Sequence, residues 1–262
     1  MADLFVIKIG GNVLDNPGAL DTFLGDVASA SGYRILVHGG GKIATRLGEQ
    51  LGIESKYVQG RRITDDATID LVTMVYGGLV NKQLVAALQA KGCNAIGLTG
   101  ADANCIPAVR RPVTTIDYGW VGDVGEVQAG ALKALLDAGL VPVMAPLTHD
   151  GKGHILNTNA DTIASALAVA LSPTYTVRLV YCFEKKGVLE DVEREDSVIP
   201  LIDRKGYARL REEGRLADGI IPKIDNAFAA IDSGVREVLI GDAADLRVNL
   251  GRGAVSGTLI VS

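Results

Sequence analysis

Residues 4–12 read LFVIKIGGN and residues 34–41 read RILVHGGG, two short apolar runs that each end in glycines. Short runs rich in branched aliphatic side chains are typical of strands buried in a parallel sheet. The glycines indicate a tight turn after each strand, and residues 42–51 then follow a helical periodicity. The sequence therefore predicts two strand, glycine turn and helix units whose turns lie at one edge of the same sheet.

The same alternation continues along the chain and predicts an α/β fold with a central, mainly parallel sheet sandwiched by helices. Further helices are expected at 65–91 (one helix, or two broken at Gly77 and Gly78), 131–138, 160–171, 203–213 and 222–233, and further strands at 94–98, 140–145, 176–182, 237–240 and 258–261. Prolines and β-branched pairs in 107–127 predict an antiparallel flap outside that sheet. We expect two lobes, 1–172 and 173–262.

Composition limits the class of protein. Of the 262 residues, 48% are hydrophobic and 22% charged, as in a globular protein with a sizeable core. The net charge of −5 argues against non-specific nucleic-acid binding. We find no signal peptide and no uninterrupted apolar run of the roughly 18 residues that a membrane helix needs. Cys93, Cys105 and Cys182 lack C-x-x-C spacing, which favours reduced thiols. Together these features predict a cytoplasmic protein without membrane contact.

The two glycine turns place backbone N–H groups where α/β proteins bind anions. Neither turn fits the P-loop pattern or the dinucleotide-binding fingerprint. The alternative is that the glycines only permit tight turns. The three histidines are not spaced as metal ligands, and no metal site built from protein groups alone is expected.

Two lysines are candidate phosphate ligands. Lys8 ends an apolar strand, where an ammonium group needs solvent or an anion. Lys223 opens a helix, where its charge adds to the positive end of the helix dipole, although a solvated lysine is the commoner case there.

Two polar segments allow two interpretations each. Asn157-Thr158-Asn159-Ala160-Asp161 precedes an apolar helix, so Asn159 or Asp161 can be an ordinary N-cap or first-turn acid. Arg61 and Arg62 can be surface charges, but an arginine fork also pairs bidentately with a carboxylate.

Taken together, these motifs resemble the amino acid kinase family along essentially the whole chain. The resemblance is carried by five segments in order: 8–12 (KIGGN), 38–41 (HGGG), 60–64 (GRRIT), 157–161 (NTNAD) and 218–223 (DGIIPK). Within that family, the chain is most similar to the branch that phosphorylates an N-acylated glutamate.

The resemblance implies a role for each motif. Lys8 and Lys223 would bind the transferring phosphoryl group, and Asp161 would hold both ammonium groups in place. Gly10, Gly11 and Gly40 would donate backbone N–H groups to the phosphate and transition state. Arg62 would bind the α-carboxylate of the substrate, Asn157 its α-amide region, and Gly40 and Gly41 would line the same site.

The resemblance also implies an acyl-glutamate site and the dimer contact in the lobe 1–172, and ATP in the lobe 173–262. The expected ATP contacts are Phe183, Glu184, Lys185, Lys186, Gly187, Leu216 and Asp218. Here the chain departs from the family, which commonly has a Thr-Asp or Ser-Asp pair and a small-residue turn in the nucleotide lobe, whereas residues 181–189 of this chain read YCFEKKGVL. Lysines in this loop can equally be solvated. Mg²⁺ would be held mainly by the ATP phosphates and water.

The implied reaction is ATP-dependent phosphorylation of the γ-carboxylate of N-acetyl-L-glutamate to N-acetyl-L-glutamyl 5-phosphate, a step of arginine biosynthesis. The alternatives are the same chemistry on N-succinyl-L-glutamate, or a non-catalytic nucleotide- or amino-acid-binding regulator of the same fold. Because the chain begins at its first strand, without the N-terminal helix of the hexameric, arginine-inhibited branch, the resemblance implies a homodimer without arginine feedback.

Overall fold

The computed structural model describes residues 1–58, 60–191, 193–216, 220–251, 253 and 255–262. The strands are β1 (Asp3–Ile9), β2 (Tyr33–Val37), β3 (Tyr57–Val58), β4 (Arg61–Arg62), β5 (Ala95–Leu98), β6 (Ala108–Arg110), β7 (Gly122–Val124), β8 (Val141–Met144), β9 (Leu147–His149), β10 (Ile155–Asn157), β11 (Thr176–Phe183), β12 (Leu201–Ile202), β13 (Glu237–Asp242) and β14 (Thr258–Ile260). The α-helices are α1 (Gly11–Leu14), α2 (Pro17–Ser29), α3 (Gly41–Gln50), α4 (Asp66–Val72), α5 (Asn81–Ala90), α6 (Ala129–Asp137), α7 (Ala160–Leu171), α8 (Arg204–Glu212), α9 (Ile221–Asp232) and α10 (Leu246–Asn249).

The chain divides into two compact units, one of residues 36–163 and one of residues 1–35 together with 164–262. This division differs from the expected boundary at residue 172. The reason is that β1 pairs in parallel with β11 along its whole length, from Asp3 opposite Thr176 to Ile9 opposite Cys182. The first strand therefore belongs with the C-terminal part of the chain, which sequence order alone does not indicate. The functions expected of each lobe stay predictions.

The unit of residues 1–35 and 164–262 contains five sheet strands in the order β12, β14, β13, β11 and β1. Their pairings are parallel except for β13 with β14. Leu4, Val6 and Ile7 of β1 are fully buried, as expected for a strand covered on both faces. Helix α9 packs on β13 and β14, and α10 packs on β13 and α2.

The unit of residues 36–163 contains the parallel strands in the order β2, β8 and β5, with α5 packed on β5 and β8. Three two-stranded antiparallel sheets lie outside this core: β3 with β4, β6 with β7, and β9 with β10. The β6–β7 pair is the expected flap. The β9–β10 hairpin was not expected, because its glycine-rich connection resembles a plain loop. The predicted α/β class, a mainly parallel sheet covered by helices, is confirmed.

The long helical segment in the second quarter of the chain has an unexpected centre. Helices α4 and α5 are joined without a break by a π-helix, Thr73–Val80, that contains Gly77 and Gly78. By length and composition alone, the continuous helix Asp66–Ala90 could cross a membrane, although the sequence has no uninterrupted apolar run of that length. Within the apolar 18-residue stretch of this helix, 44% is buried inside the protein. Core helices of soluble proteins can be equally long and apolar.

Candidate active site

The glycine turn after β2 is organised by the buried side chain of His38. Its Nδ1 lies 2.6 Å from the Gly39 carbonyl oxygen and its Nε2 lies 3.2 Å from Asn81 Nδ2. Because the carbonyl only accepts hydrogen bonds, Nδ1 carries the proton and Nε2 accepts from Asn81. Burial lowers the pKa of His38 to about 4. A neutral imidazole of fixed tautomer therefore holds the turn that leads into Gly40 and Gly41.

Arg62 is a buried arginine tied to the start of α3. Its Nη2 donates to the Gly41 carbonyl oxygen and to Thr45 Oγ1, both at 2.9 Å, and its Nη1 donates to Ser55. The guanidinium carbon also lies 4.9 Å from the centre of the Tyr57 ring. These contacts fix the plane of the guanidinium group, a group that pairs well with carboxylates.

A cavity of about 240 Å³ brings the four predicted substrate residues together within the unit 36–163. Gly40, Gly41, Arg62 and Asn157 all line it. Asn157 is the last residue of β10, and its Nδ2 donates to Thr64 Oγ1 at 3.0 Å. The space and its mixture of an arginine, an amide and backbone N–H groups suit a small anionic ligand.

The same cavity has walls that sequence reasoning missed. Arg111 and Asp123 line it and form an ion pair across the β6–β7 flap, with Arg111 Nε 3.0 Å from Asp123 Oδ1. Tyr76, in the π-helix, also lines it, and burial raises the pKa of its hydroxyl. Only the hairpin register and the helix geometry bring these side chains to the cavity. Arg111 and Asp123 stand twelve residues apart with no motif that joins them.

Lys8 and Lys223 meet at one aromatic ring in the unit of residues 1–35 and 164–262. The Nζ of Lys223 lies 3.6 Å and that of Lys8 5.3 Å from the centre of the Phe183 ring. Phe183 in turn stacks on Tyr181, with ring centres 6.2 Å apart. Strand pairing explains part of this arrangement, because Lys8 on β1 lies beside Tyr181 on β11. The two predicted phosphate-binding ammonium groups are therefore neighbours.

The N-terminus of α7 is capped by a side chain from the segment before it. Asn159 Oδ1 accepts the backbone N–H groups of Asp161 and Thr162, at 2.8 and 3.1 Å. Asn159 is thus the cap, and Asp161 stands in the first turn of α7. The joint action of Asp161 with the two lysines stays a prediction.

The first glycine turn lies beside β11. Gly10 donates its backbone N–H to the Cys182 carbonyl oxygen at 3.1 Å, and Gly11 begins α1. Cys182 is buried, which raises the pKa of its thiol to about 12. This thiol is a packing group rather than a nucleophile.

The predicted ATP residues have different surroundings. Glu184, Lys185 and Lys186 line a small cavity of about 60 Å³, and Phe183 and Glu184 line another of about 460 Å³. Gly187 instead packs against β14, since a Cβ there would lie 2.7 Å from Thr258 Oγ1. Leu216 is buried, and Asp218 lies outside the described residues.

Within the described part of the chain, no three His, Cys, Asp or Glu side chains are grouped so that they could hold a metal ion. The donor groups that the site does offer, ammonium groups and backbone N–H groups, suit phosphate oxygens. ATP therefore fits these residues, and a Mg²⁺ ion here would take its ligands largely from the nucleotide and water.

Comparison with known proteins shows which family the chain belongs to. Residues 3–242 match the model of the amino acid kinase family. The chain is 58% identical to an acetylglutamate kinase from Phocaeicola vulgatus, across 96% of this chain and 97% of the relative. It is 54% identical to an acetylglutamate kinase from Cytophaga hutchinsonii, with both chains covered completely.

A solved structure supports the fold. The chain is similar to N-acetylglutamate synthase from Neisseria gonorrhoeae in complex with coenzyme A and N-acetyl-glutamate, with a TM-score of 0.81 and 25% identity. The likeness covers all of this chain and 59% of the synthase chain. By the family match and the full-length relatives, this chain belongs to the amino acid kinase family.

Proposed function

We propose that this protein catalyses ATP-dependent phosphorylation of the γ-carboxylate of N-acetyl-L-glutamate, giving N-acetyl-L-glutamyl 5-phosphate and ADP for arginine biosynthesis. The observation that carries the proposal is the cavity that joins Arg62, Asn157 and the Gly40–Gly41 turn. The acetylglutamate kinases that are 54–58% identical over nearly the full chain support the same reaction.

The chemistry needs alignment and charge neutralisation rather than a general base. A side-chain carboxylate of pKa near 4.3 is already ionised at neutral pH. One of its oxygens forms a bond to the γ-phosphorus of ATP as the bond between that phosphorus and the β–γ bridging oxygen breaks, and ADP leaves with the electron pair.

Each residue supplies one part of that alignment. Arg62 pairs with the substrate α-carboxylate, Asn157 contacts its amide, and Gly40 and Gly41 donate N–H groups beside them. Lys8 and Lys223 neutralise the transferring phosphoryl group, with Gly11 as a further donor and Asp161 orienting the ammonium groups. The expected N–H donation from Gly10 is corrected, because that N–H is bonded to the Cys182 carbonyl oxygen. Mg²⁺ bound to ATP supplies additional positive charge when present.

The nucleotide binds through residues of the unit 1–35 and 164–262. Phe183, Glu184, Lys185, Lys186 and Leu216 are the contacts proposed there. Gly187 has a packing role in addition, because it leaves no room for a side chain beside Thr258.

The protein acts as a cytoplasmic homodimer that uses small-molecule substrates and binds neither nucleic acid nor membrane. The net charge of −5 favours this view over nucleic-acid binding. Light scattering coupled to size exclusion tests the dimer, and a mass equal to that of one chain or of six chains would contradict it.

The reaction is tested by ADP release from Mg-ATP with N-acetyl-L-glutamate, N-succinyl-L-glutamate, glutamate and aspartate in parallel. Hydroxylamine traps an acyl phosphate as the hydroxamate, so carboxylate phosphorylation is detected directly. We expect turnover with N-acetyl-L-glutamate and hydroxamate in equal amount to ADP. Preference for N-succinyl-L-glutamate would show that the substrate carries a succinyl rather than an acetyl group. No ADP release with any of the four acceptors would favour a non-catalytic regulator.

A further inference from the structure

Trp120 immediately precedes two residues that line the proposed substrate cavity. Its backbone N–H donates to the Thr64 carbonyl oxygen at 2.7 Å, and its carbonyl oxygen accepts from the Asn157 N–H at 2.8 Å. The residues that follow it, Val121 and Gly122, line the cavity, and so does Asn157. The main chain at Trp120 thus bridges the two segments that carry Thr64 and Asn157.

The side chain of Trp120 is held from three directions. Its Nε1–H donates to Asp66 Oδ1 at 2.6 Å, at the start of α4. One ring contact is the stacked imidazole of His154, with centres 4.8 Å apart, and another is the guanidinium of Arg110, 4.4 Å from the ring centre. The indole therefore links the flap to α4 and to the β9–β10 connection.

The His154 contact is itself fixed. Its Nδ1 lies 2.7 Å from Asp150 Oδ2, and Asp150 also accepts the backbone N–H groups of Lys152 and His154. Burial of the Asp150 carboxyl raises its pKa, but these hydrogen bonds outweigh that effect and lower the pKa to about 2. Asp150 thus remains an anion that anchors the imidazole at any working pH.

The segment that carries Trp120 has little freedom to shift. Gly119 has φ +71°, and a Cβ there would lie 2.1 Å from the Thr64 carbonyl oxygen. A Cβ on Gly122 would lie 2.6 Å from Thr148 Oγ1. Close packing at both glycines means that a displacement of the indole is transmitted to the cavity wall rather than absorbed.

We propose that Trp120, through its contacts with Asp66 and His154, is a positioning residue that sets the affinity for the acyl-glutamate substrate. It does so by holding Asn157 and the flap residues after Trp120 at their places in the cavity wall. This inference rests on the proposed function and adds a determinant remote from the reacting groups. It predicts an effect on binding of the acyl-glutamate and little effect on ATP or on the chemical step.

Trp120 is the single tryptophan of the chain, so its emission reports on this position alone. We expect titration with N-acetyl-L-glutamate to change the emission of the wild-type protein in a saturable manner. Asp66→Ala should raise the dissociation constant for N-acetyl-L-glutamate about fivefold. Asp66→Asn keeps the acceptor oxygen, so its dissociation constant should stay within about twofold of wild type. Asp70→Ala, which removes an exposed charge from the same helix, is the matched control and should not change it.

Steady-state kinetics separate positioning from a merely structural role. Trp120→Phe keeps an aromatic ring for Arg110 and His154 to contact, while Trp120→Leu removes the aromatic face. We expect the KM for N-acetyl-L-glutamate to rise about fivefold in the first variant and about thirtyfold in the second, with kcat and the KM for ATP within twofold. Thermal melting of each variant establishes that it is folded.

The outcomes distinguish this inference from the proposed function. If the wild type turns over N-acetyl-L-glutamate but Asp66→Ala and Trp120→Leu keep wild-type affinity, the inference is overturned and the function stands. An equal fall in kcat and in the affinity for both substrates also overturns it, because that pattern indicates general loss of structure. If the wild type neither binds nor phosphorylates any of the acyl-glutamates, the function fails and the inference fails with it.

Discussion

Lys8 and Lys223 are neighbouring ammonium groups, and like charges close to one another repel. Both contact the ring of Phe183, whose centre lies 3.6 Å from the Nζ of Lys223 and 5.3 Å from the Nζ of Lys8. The negative face of an aromatic ring attracts cations. An aromatic ring in contact with both ammonium groups therefore offsets part of their mutual repulsion.

The first residue-scale prediction concerns Lys8. Lys8→Ala should lower kcat by about 100-fold or more while the KM values change little, because the charge that Lys8 stabilises is largest in the transition state. ADP release under saturating substrates measures this. Lys205→Ala, which removes an exposed charge from α8, is the matched control. An unchanged kcat in Lys8→Ala would remove Lys8 from the phosphoryl-transfer step.

The second residue-scale prediction concerns Phe183. Phe183→Leu should lower kcat about fivefold, since a cation–π contact contributes about 1 kcal/mol. Phe183→Tyr keeps the aromatic face and should retain most of the activity. Equal rates in Phe183→Leu and wild type, measured at saturating ATP, would show that the ring does not hold the lysines.

At the scale of the element, the turn between β2 and α3 is held by two side chains. His38 fixes the carbonyl of Gly39, and Arg62 fixes that of Gly41. Gly40 lies between them with φ +153°, a conformation that other residues rarely adopt. The carbonyl oxygens of Gly39 and Gly41 are thus both held by side-chain hydrogen bonds.

Gly40→Ala is the element-scale prediction. An added Cβ would lie 2.8 Å from Tyr76 Cδ1, in a backbone conformation that costs about 1–3 kcal/mol for a residue other than glycine. We expect the KM for N-acetyl-L-glutamate to rise at least tenfold, measured by ADP release. Gly130→Ala on α6, where a Cβ meets open space, makes the same chemical change and should leave the KM unaltered. If Gly40→Ala binds substrate as tightly as wild type, the turn has more freedom than its geometry indicates.

The π-helix is a second element beside the cavity. Its Tyr76 lines the cavity, while Asn81 at the start of α5 contacts His38. An insertion of this kind changes the faces of a helix that meet the core. The glycines in it predicted a break, whereas the backbone hydrogen bonds continue with a wider spacing.

At the scale of the whole molecule, one buried group makes stability depend on pH. The pKa of His38 is about 4 in the folded protein and near 6.5 in an unfolded chain. The unfolded state therefore binds more protons between these values, and the free energy of unfolding is fully retained above about pH 6.5. It should fall by on the order of 3 kcal/mol as the pH decreases to about 4.

Urea unfolding between pH 7.5 and pH 4 measures this dependence. His38→Gln removes the titrating group, so the variant should be less stable at pH 7.5 but should lose less of its remaining stability on acidification. The same loss of stability with acid in both proteins would mean that other groups govern the acid sensitivity.

The sequence by itself determined the alternation of strands and helices, the two glycine turns and the mainly parallel sheet. These features follow from hydrophobic periodicity and from the backbone freedom of glycine, and both depend only on residues close together in the sequence. The five motifs in their order also identified the family, and the cavity brings together the four residues predicted to bind the substrate.

Only the tertiary structure decided how distant segments combine. The place of β1 beside β11 depends on pairing between residues more than 170 positions apart, and it sets a unit boundary that sequence order does not reveal. The Arg111–Asp123 pair and the contacts of Trp120 with Asp66 and His154 likewise join segments without a shared motif. Their physical cause is the packing of hairpins and helices against one another, because such contacts are specified by shape and register rather than by local sequence pattern.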